Sequence, residues 1–250
     1  MWVCDSINLI SIGNKIKFLY SGLRKAFADN PDDVASILIE PIQAEGGDNH
    51  FRPEFLQALQ KLARENECLF IVDEVQTGVG MTGKMWAYEH FGITPDLLAF
   101  GKKMQVCGCM AGPRVDEEPE NVFKVPSRIN STWGGGLTDM VRSGRYLEVI
   151  HEDRLVDNAR VVGEHLLRGL EGVQAELGGL MTNARGRGLF IAFDLPSTDA
   201  RDKAHKRLAE DGLLVLVCGP QSIRFRPPLN LTAAEADTAL DIVRRSLRRN

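Results

Sequence analysis

Apolar residues along this chain fall into two alternating patterns. Ser36-Ile-Leu-Ile39, Leu69-Phe-Ile-Val72 and Leu97-Leu-Ala-Phe100 are short continuous runs, the mark of buried strands. Between them the period lengthens. A helical stretch from residue 21 ends near Asn30-Pro31, and Pro53 opens another in which Phe55, Leu56, Leu59, Leu62 and Ala63 share one stripe. The glycine-rich segment Gly78-Val-Gly80-Met-Thr-Gly83 leads into a short helix around Trp86 to Phe91. Met110-Ala-Gly112 and Val122-Phe-Lys-Val125 read as further β-type segments. Strands separated by helices predict an α/β fold with a mostly parallel sheet.

The pattern changes near Leu137. Leu155, Ala159, Val162, Leu166, Leu170, Val173 and Leu177 recur at helical spacing. Strands over Leu189–Phe193, Leu213–Val217 and Ile223–Phe225 follow, with a helix around Arg201–Glu210 between the first two. A last helix starts at Thr232, where Glu235 completes a capping box. This half reads as a smaller α+β domain. The expected division is a segment over residues 1–20, a large-domain part over 21–144 and a small C-terminal domain over 145–250, with the boundary inside a long helix.

Composition narrows the function classes. The chain has 250 residues, 44% hydrophobic and 26% charged, enough to bury a core. A net charge of −4 argues against a nucleic-acid partner, which calls for a basic stripe. The basic tail Arg244-Arg245-Ser-Leu-Arg248-Arg249 is read as helix-end charge that suits the helix dipole. No segment reaches the roughly 18 apolar residues of a membrane span. Residues 1–20 carry no basic start or small-residue cleavage site. Five scattered cysteines suggest a reducing compartment, and the expected location is cytoplasmic. Cys107-Gly-Cys109 lacks a second pair and a histidine at ligand spacing, so no metal is expected.

Two strand ends carry the candidate chemistry. Leu69-Phe-Ile-Val72 runs into Asp73-Glu74, and Leu97-Leu-Ala-Phe100 runs into Gly101-Lys102. Open α/β sheets bind ligands beyond the carboxyl ends of their strands. An acid and a lysine at one rim suit pyridoxal phosphate, which takes a lysine for its Schiff base and a carboxylate for its pyridinium nitrogen. The competing reading is an ATPase acid with Gly78–Lys84 as a phosphate loop. Met85 stands where a magnesium-holding Ser or Thr belongs, and the loop follows the acidic strand directly. Lys103 is the adjacent rival of Lys102 and is expected to point away.

Together with this pair, Asp73-Glu-Val-Gln76-Thr-Gly78, Pro95-Asp96 and Thr132-Trp-Gly134 resemble the class III aminotransferases, fold type I enzymes dependent on pyridoxal phosphate. Glu40-Pro-Ile-Gln-Ala-Glu45-Gly-Gly-Asp48, Phe100 to Gly108, Ser127 to Gly134 and Ile223-Arg-Phe-Arg-Pro-Pro-Leu229 extend the likeness, which runs from about Leu23 to the C-terminus. The lysine-converting branch, related to the 4-aminobutyrate enzymes, is the best match. The resemblance implies part of a fold type I large domain plus a smaller α+β domain. It also implies transfer of the ε-amino group of L-lysine to 2-oxoglutarate in a cytoplasmic homodimer. Ornithine or 4-aminobutyrate as donor, or an inactive remnant, are the alternatives.

Site residues follow from the same resemblance. Lys102 is expected to hold the cofactor and move protons, Asp73 to pair with the ring nitrogen, Gln76 to bond the phenolic oxygen, and Val75 to pack on the ring. Ser131 and Thr132 are expected to bind the phosphate from the neighbouring subunit, with Asn130 beside them facing substrate. Arg224, preferred over Arg226, is expected to bind the α-carboxylate of 2-oxoglutarate or glutamate. Glu45 is expected to neutralise Arg224 while a donor without a carboxylate at its reacting carbon is bound. Family members are longer at the N-terminus. The resemblance implies a further region supplying a glycine–serine phosphate turn, a ring-stacking aromatic and a donor-binding arginine, which is not expected within residues 1–20.

Overall fold

Ser36–Ile39 (β1), Leu69–Asp73 (β2) and Leu97–Phe100 (β3) run parallel. Gly108–Ala111 (β4) pairs antiparallel with β3, giving the order β1-β2-β3-β4. The computed structural model describes residues 20–129 and 132–249. The chain divides into two compact units. This sheet belongs to the first, which takes in the described residues up to Pro41, Phe51–Gln76 and Tyr88–Arg142. The second takes in Ile42–His50, Thr77–Ala87 and the chain from Ser143 onward.

In the first unit, residues 20–29 form a helix (α1). Pro53–Glu65 (α2) buries the predicted stripe Phe55, Leu56, Leu59, Leu62 and Ala63, and packs against β1 and β2. Each of the Phe and Leu side chains contributes about 1.5–3 kcal/mol when fully buried. In β2, Phe70 and Val72 have no exposed surface while Leu69 and Ile71 are half-buried. Asp96 ties the amino ends of β2 and β3 together. Its Oδ2 accepts from Phe70 N and from Arg114, both at 2.8 Å, and Arg114 also donates to Cys68 O.

The β-type segment expected over 122–125 is a turn instead. Asn121 captures the local backbone. Its Nδ2 donates to Val115 O and Glu118 O, and its Oδ1 accepts from Phe123 N at 3.1 Å. A side chain that satisfies neighbouring backbone groups in this way competes with strand pairing.

Leu137–Glu152 (α3) leads to Leu155–Leu177 (α4), with a break at Arg154, whose φ is 53°. α4 buries Ala159, Val162, Leu166, Leu170 and Val173, as its spacing predicts. It covers an antiparallel sheet of Thr182–Arg187 (β5), Phe190–Asp194 (β6), Leu216–Cys218 (β7) and Ser222–Phe225 (β8), in the order β5-β6-β8-β7. Every residue of β6 and β8 is buried. Thr198–Glu210 (α5) precedes β7. Ala233–Arg248 (α6) starts with the expected Thr232–Glu235 capping box and packs on α4. β7 begins three residues later than the sequence suggests, because Leu213 N closes α5 onto Leu208 O at 2.9 Å. The basic tail is taken up locally: Arg244 and Arg248 pair with Glu176, and Arg249 with Asp211.

Two glycines allow close main-chain contacts, one between α4 and the β5–β6 turn and one between that turn and Thr82. A Cβ on Gly163 would stand 2.1 Å from the carbonyl carbon of Gly188, and one on Gly188 (φ 54°) would stand 2.4 Å from the carbonyl carbon of Thr82. Among the described residues, no helix is long and apolar enough to cross a membrane.

Candidate active site

The first group of candidate residues sits at the carboxyl edge of the parallel strands. Asp73 ends β2 and lies opposite Ala99 of β3, and Glu74 N donates to Ala99 O at 2.9 Å. Parallel strands present their carboxyl ends on one edge, so the turn after β3 shares the edge with Asp73. Lys102 opens that turn, a 3-10 segment over Lys102–Met104. Its φ of 47° is uncommon for a side-chain-bearing residue, and such backbone strain clusters at functional sites. The preceding Gly101 is closely packed. A Cβ there would stand 3.0 Å from Cys107 Sγ and 3.5 Å from Val75 Cγ1.

The side chains at this edge are only partly committed. Asp73 Oδ1 accepts from Val75 N at 2.9 Å, and Oδ2 accepts nothing among the described residues. Lys102 is exposed, and its Nζ makes no hydrogen bond or ion pair among the described residues. Lys103, the adjacent amine, is committed where Lys102 is not. It is half-buried, and its Nζ donates to Gln76 O at 2.7 Å, because the tight turn directs consecutive side chains to different sides. An amine without a partner and a carboxylate oxygen without a donor, on adjacent strand ends, match the donor set pyridoxal phosphate needs. Thr132 is exposed, and Asn130 and Ser131 lie outside the described residues.

The second group lies in the second unit. Arg224 sits mid-strand in β8, between Ala192 of β6 and Leu216 of β7, and its side chain is 6% exposed. It forms an ion pair with Glu45, whose side chain is 73% exposed. A guanidinium cannot shed its charge, so burial requires an anionic partner. Arg226, the rival, is committed elsewhere. It pairs with the fully buried Asp48 and lies over the Phe190 ring, 3.3 Å from the centroid. Burial pushes the Asp48 carboxyl up from its ordinary value, against the pull of Arg226.

Several members of this cluster escaped the sequence reading: Asp48 as a partner, Arg185, Asp194, Ser222 and His50. Arg185 bridges the turn after Ala44 to the sheet, where it pairs with Asp194. Its strand, Thr-Asn-Ala-Arg-Gly-Arg, has no apolar alternation to announce it. The signal on offer was the density of arginine at 185, 187, 224 and 226.

His50 pairs with Ile42 in the short ladder of Ile42–Gln43 with Asn49–His50, and its buried Nε2 has no hydrogen-bond partner among the described residues. Burial, helped by Arg185, Arg187 and Arg226, lowers its pKa from 6.5 to about 3. Between those values the unfolded chain takes up a proton that the folded unit refuses. Stability is therefore full above pH 6.5 and declines as pH falls through that window, by about 1.4 kcal/mol per unit. Urea midpoints at pH 7 and pH 5 are expected to differ less in His50→Phe than in the parent. An unchanged gap would contradict the assignment.

A family profile described as Aminotransferase class-III matches residues 5–247, taking in most of the first 20 residues. L-lysine-epsilon aminotransferase of Mycobacterium tuberculosis (strain ATCC 25618 / H37Rv) is 51% identical over 224 residues, 90% of this chain and 50% of the relative. The mitochondrial 4-aminobutyrate aminotransferase of Homo sapiens is 39% identical over 211 residues, 84% of this chain and 41% of the relative. The solved structure of lysine aminotransferase from M. tuberculosis in the internal aldimine form matches with a TM-score of 0.94 at 46% identity, covering 98% of this chain and 56% of that one. The chain spans about half the length of the curated relatives it matches.

Proposed function

Because the chain belongs to the class-III aminotransferase family, we propose that it serves pyridoxal phosphate-dependent transfer of the ε-amino group of L-lysine to 2-oxoglutarate. The observation that carries this reading is the pair between exposed Glu45 and buried Arg224. An enzyme that takes an ω-amine and then a 2-oxo acid must tolerate one reacting end without a carboxylate and one with it. Glu45 keeps Arg224 neutralised for the first. The α-carboxylate of the acceptor replaces Glu45 for the second, in the bidentate geometry a guanidinium favours.

When bound, the cofactor supplies a ring that accepts the electron pair left at the reacting carbon. Lys102 Nζ, without a partner among the described residues, would hold the cofactor and, once released from it, would take a proton from the reacting carbon of the substrate and return it on the cofactor side. Asp73, through Oδ2, would keep a proton on the ring nitrogen, Gln76 would donate to the phenolic oxygen, and Val75 would pack on the ring. Thr132 and Ser131 would hold the phosphate of the cofactor in the neighbouring subunit of a cytoplasmic homodimer, with Asn130 beside them facing substrate. Identity of 51% to a lysine enzyme against 39% to a 4-aminobutyrate enzyme favours lysine as donor over the shorter ω-amines.

The test is a half-reaction. Purified chain is loaded with pyridoxal phosphate and offered L-lysine, ornithine or 4-aminobutyrate, then 2-oxoglutarate. Loss of the visible absorption of the bound cofactor with lysine, and its return with glutamate release, is the expected result. Preference for another donor corrects the substrate, and failure to take up the cofactor supports a catalytically silent relative.

A further inference from the structure

We propose that Arg185 is a positioning residue that fixes the turn carrying Glu45, and so sets how readily a carboxylate ligand displaces Glu45 from Arg224. This inference rests on the carboxylate-binding role given to Arg224 above.

A guanidinium has five N–H donors. Arg185 makes four hydrogen bonds and one ion pair. Nε donates to Asp48 O at 2.8 Å, and one terminal nitrogen donates to Gly47 O at 2.6 Å and Ser222 Oγ at 3.0 Å. The other donates to Asn183 O at 2.8 Å and pairs with Asp194 Oδ1 at 2.9 Å. The Asp194 end is itself fixed. Its Oδ1 accepts from Ser222 Oγ at 2.5 Å and its Oδ2 from Asn183 Nδ2 at 2.7 Å. Arg185 thus joins the β5, β6 and β8 strands to the two carbonyls that follow Glu45 in the turn.

Glu45 has little packing of its own, with its side chain 73% exposed. Its place beside Arg224 comes from the backbone: its carbonyl accepts from Gly219 N at 2.9 Å, and the next carbonyls but one are held by Arg185. The charges point the same way. The guanidiniums of Arg185, Arg224 and Arg226 face two buried carboxylates, Asp48 and Asp194, and the third negative charge is Glu45. Loosening the turn leaves Arg224 open more of the time. An anion binds such a site with an affinity scaled by the open fraction.

Lysine at 185 keeps the charge but has three donors on one nitrogen, too few to span both carbonyls and Asp194. The probe is glutarate, titrated into the full chain by calorimetry. Glu45→Gln is expected to tighten glutarate binding about fivefold or more. Arg185→Lys is expected to tighten it in the same direction, and Ser222→Ala, which removes one of the five contacts, to a smaller extent. The double variant Arg185→Lys/Glu45→Gln is expected to bind no more tightly than Glu45→Gln alone, because both act on one event. Damage to the fold would weaken binding, the opposite sign.

Unchanged or weaker binding in both Arg185→Lys and Ser222→Ala would overturn the inference. So would an Arg185→Lys effect of equal size in the Glu45→Gln background. Arg224→Met separates the two layers. If it abolishes binding while the Arg185 and Ser222 variants do nothing, only the positioning role fails. If glutarate binds equally well without Arg224, or binds neither the parent nor Glu45→Gln, the carboxylate role fails and this inference with it.

Discussion

Lys102→Ala is expected to abolish covalent capture of pyridoxal phosphate and to lower any transamination by at least the 10²–10⁴-fold, or about 3–5 kcal/mol of barrier, that a positioned acid–base group supplies. The argument is the commitment of the two neighbouring amines. Lys102 Nζ has no partner among the described residues and lies on the edge where β2 and β3 end. Lys103 Nζ is held on Gln76 O at 2.7 Å. A nucleophile must be free to attack, so the uncommitted amine is the reactive one. Borohydride treatment of the cofactor-loaded chain, followed by peptide mass analysis, is expected to find the added cofactor mass on Lys102. Lys103→Ala is expected to retain that label. A label that survives Lys102→Ala, or one found on Lys103, would reverse the assignment.

Asp48→Ala is expected to destabilise the second unit by about 3–5 kcal/mol, a large share of what holds a domain folded. Asp48 has no exposed surface, and Arg226 is 10% exposed. Removing the carboxylate leaves a guanidinium that cannot lose its proton in a largely buried site. Asp48→Asn keeps the shape without the charge and is expected to lose most of the same stability. Replacing both partners, as in Asp48→Leu/Arg226→Met, is expected to recover much of it, because no unpaired charge remains. Urea unfolding followed by far-ultraviolet circular dichroism reads all three. Parental stability in Asp48→Ala would show that Arg226 finds another anion.

Much of this architecture is legible in the chain because burial writes itself as periodicity. β2, β3 and the stripes of α2 and α4 lie where continuous apolar runs or helical spacing put them. The failures have local causes. Val122–Val125 has strand-like composition, but Asn121 folds it into a turn. β5 carries no strand signal, because it is built from polar residues, glycine and one alanine, with no apolar alternation around Arg185. The site divides in the same way. Glu45 and Arg224 stand out in their motifs and meet in the structure. Which of Lys102 and Lys103 is tethered depends on one tight turn, and the three-arginine cluster depends on pairings distant in sequence.

The contact of Gly163 with Gly188 bears on how this protein can drift. Every one-letter change of a glycine codon that yields another amino acid adds at least a β-carbon. At these two positions that atom would overlap main chain, which has no rotamer with which to step aside. Neither codon therefore has a neutral missense neighbour, and while variation accumulates over the outer surface of α4 only silent changes can persist in this pair of triplets.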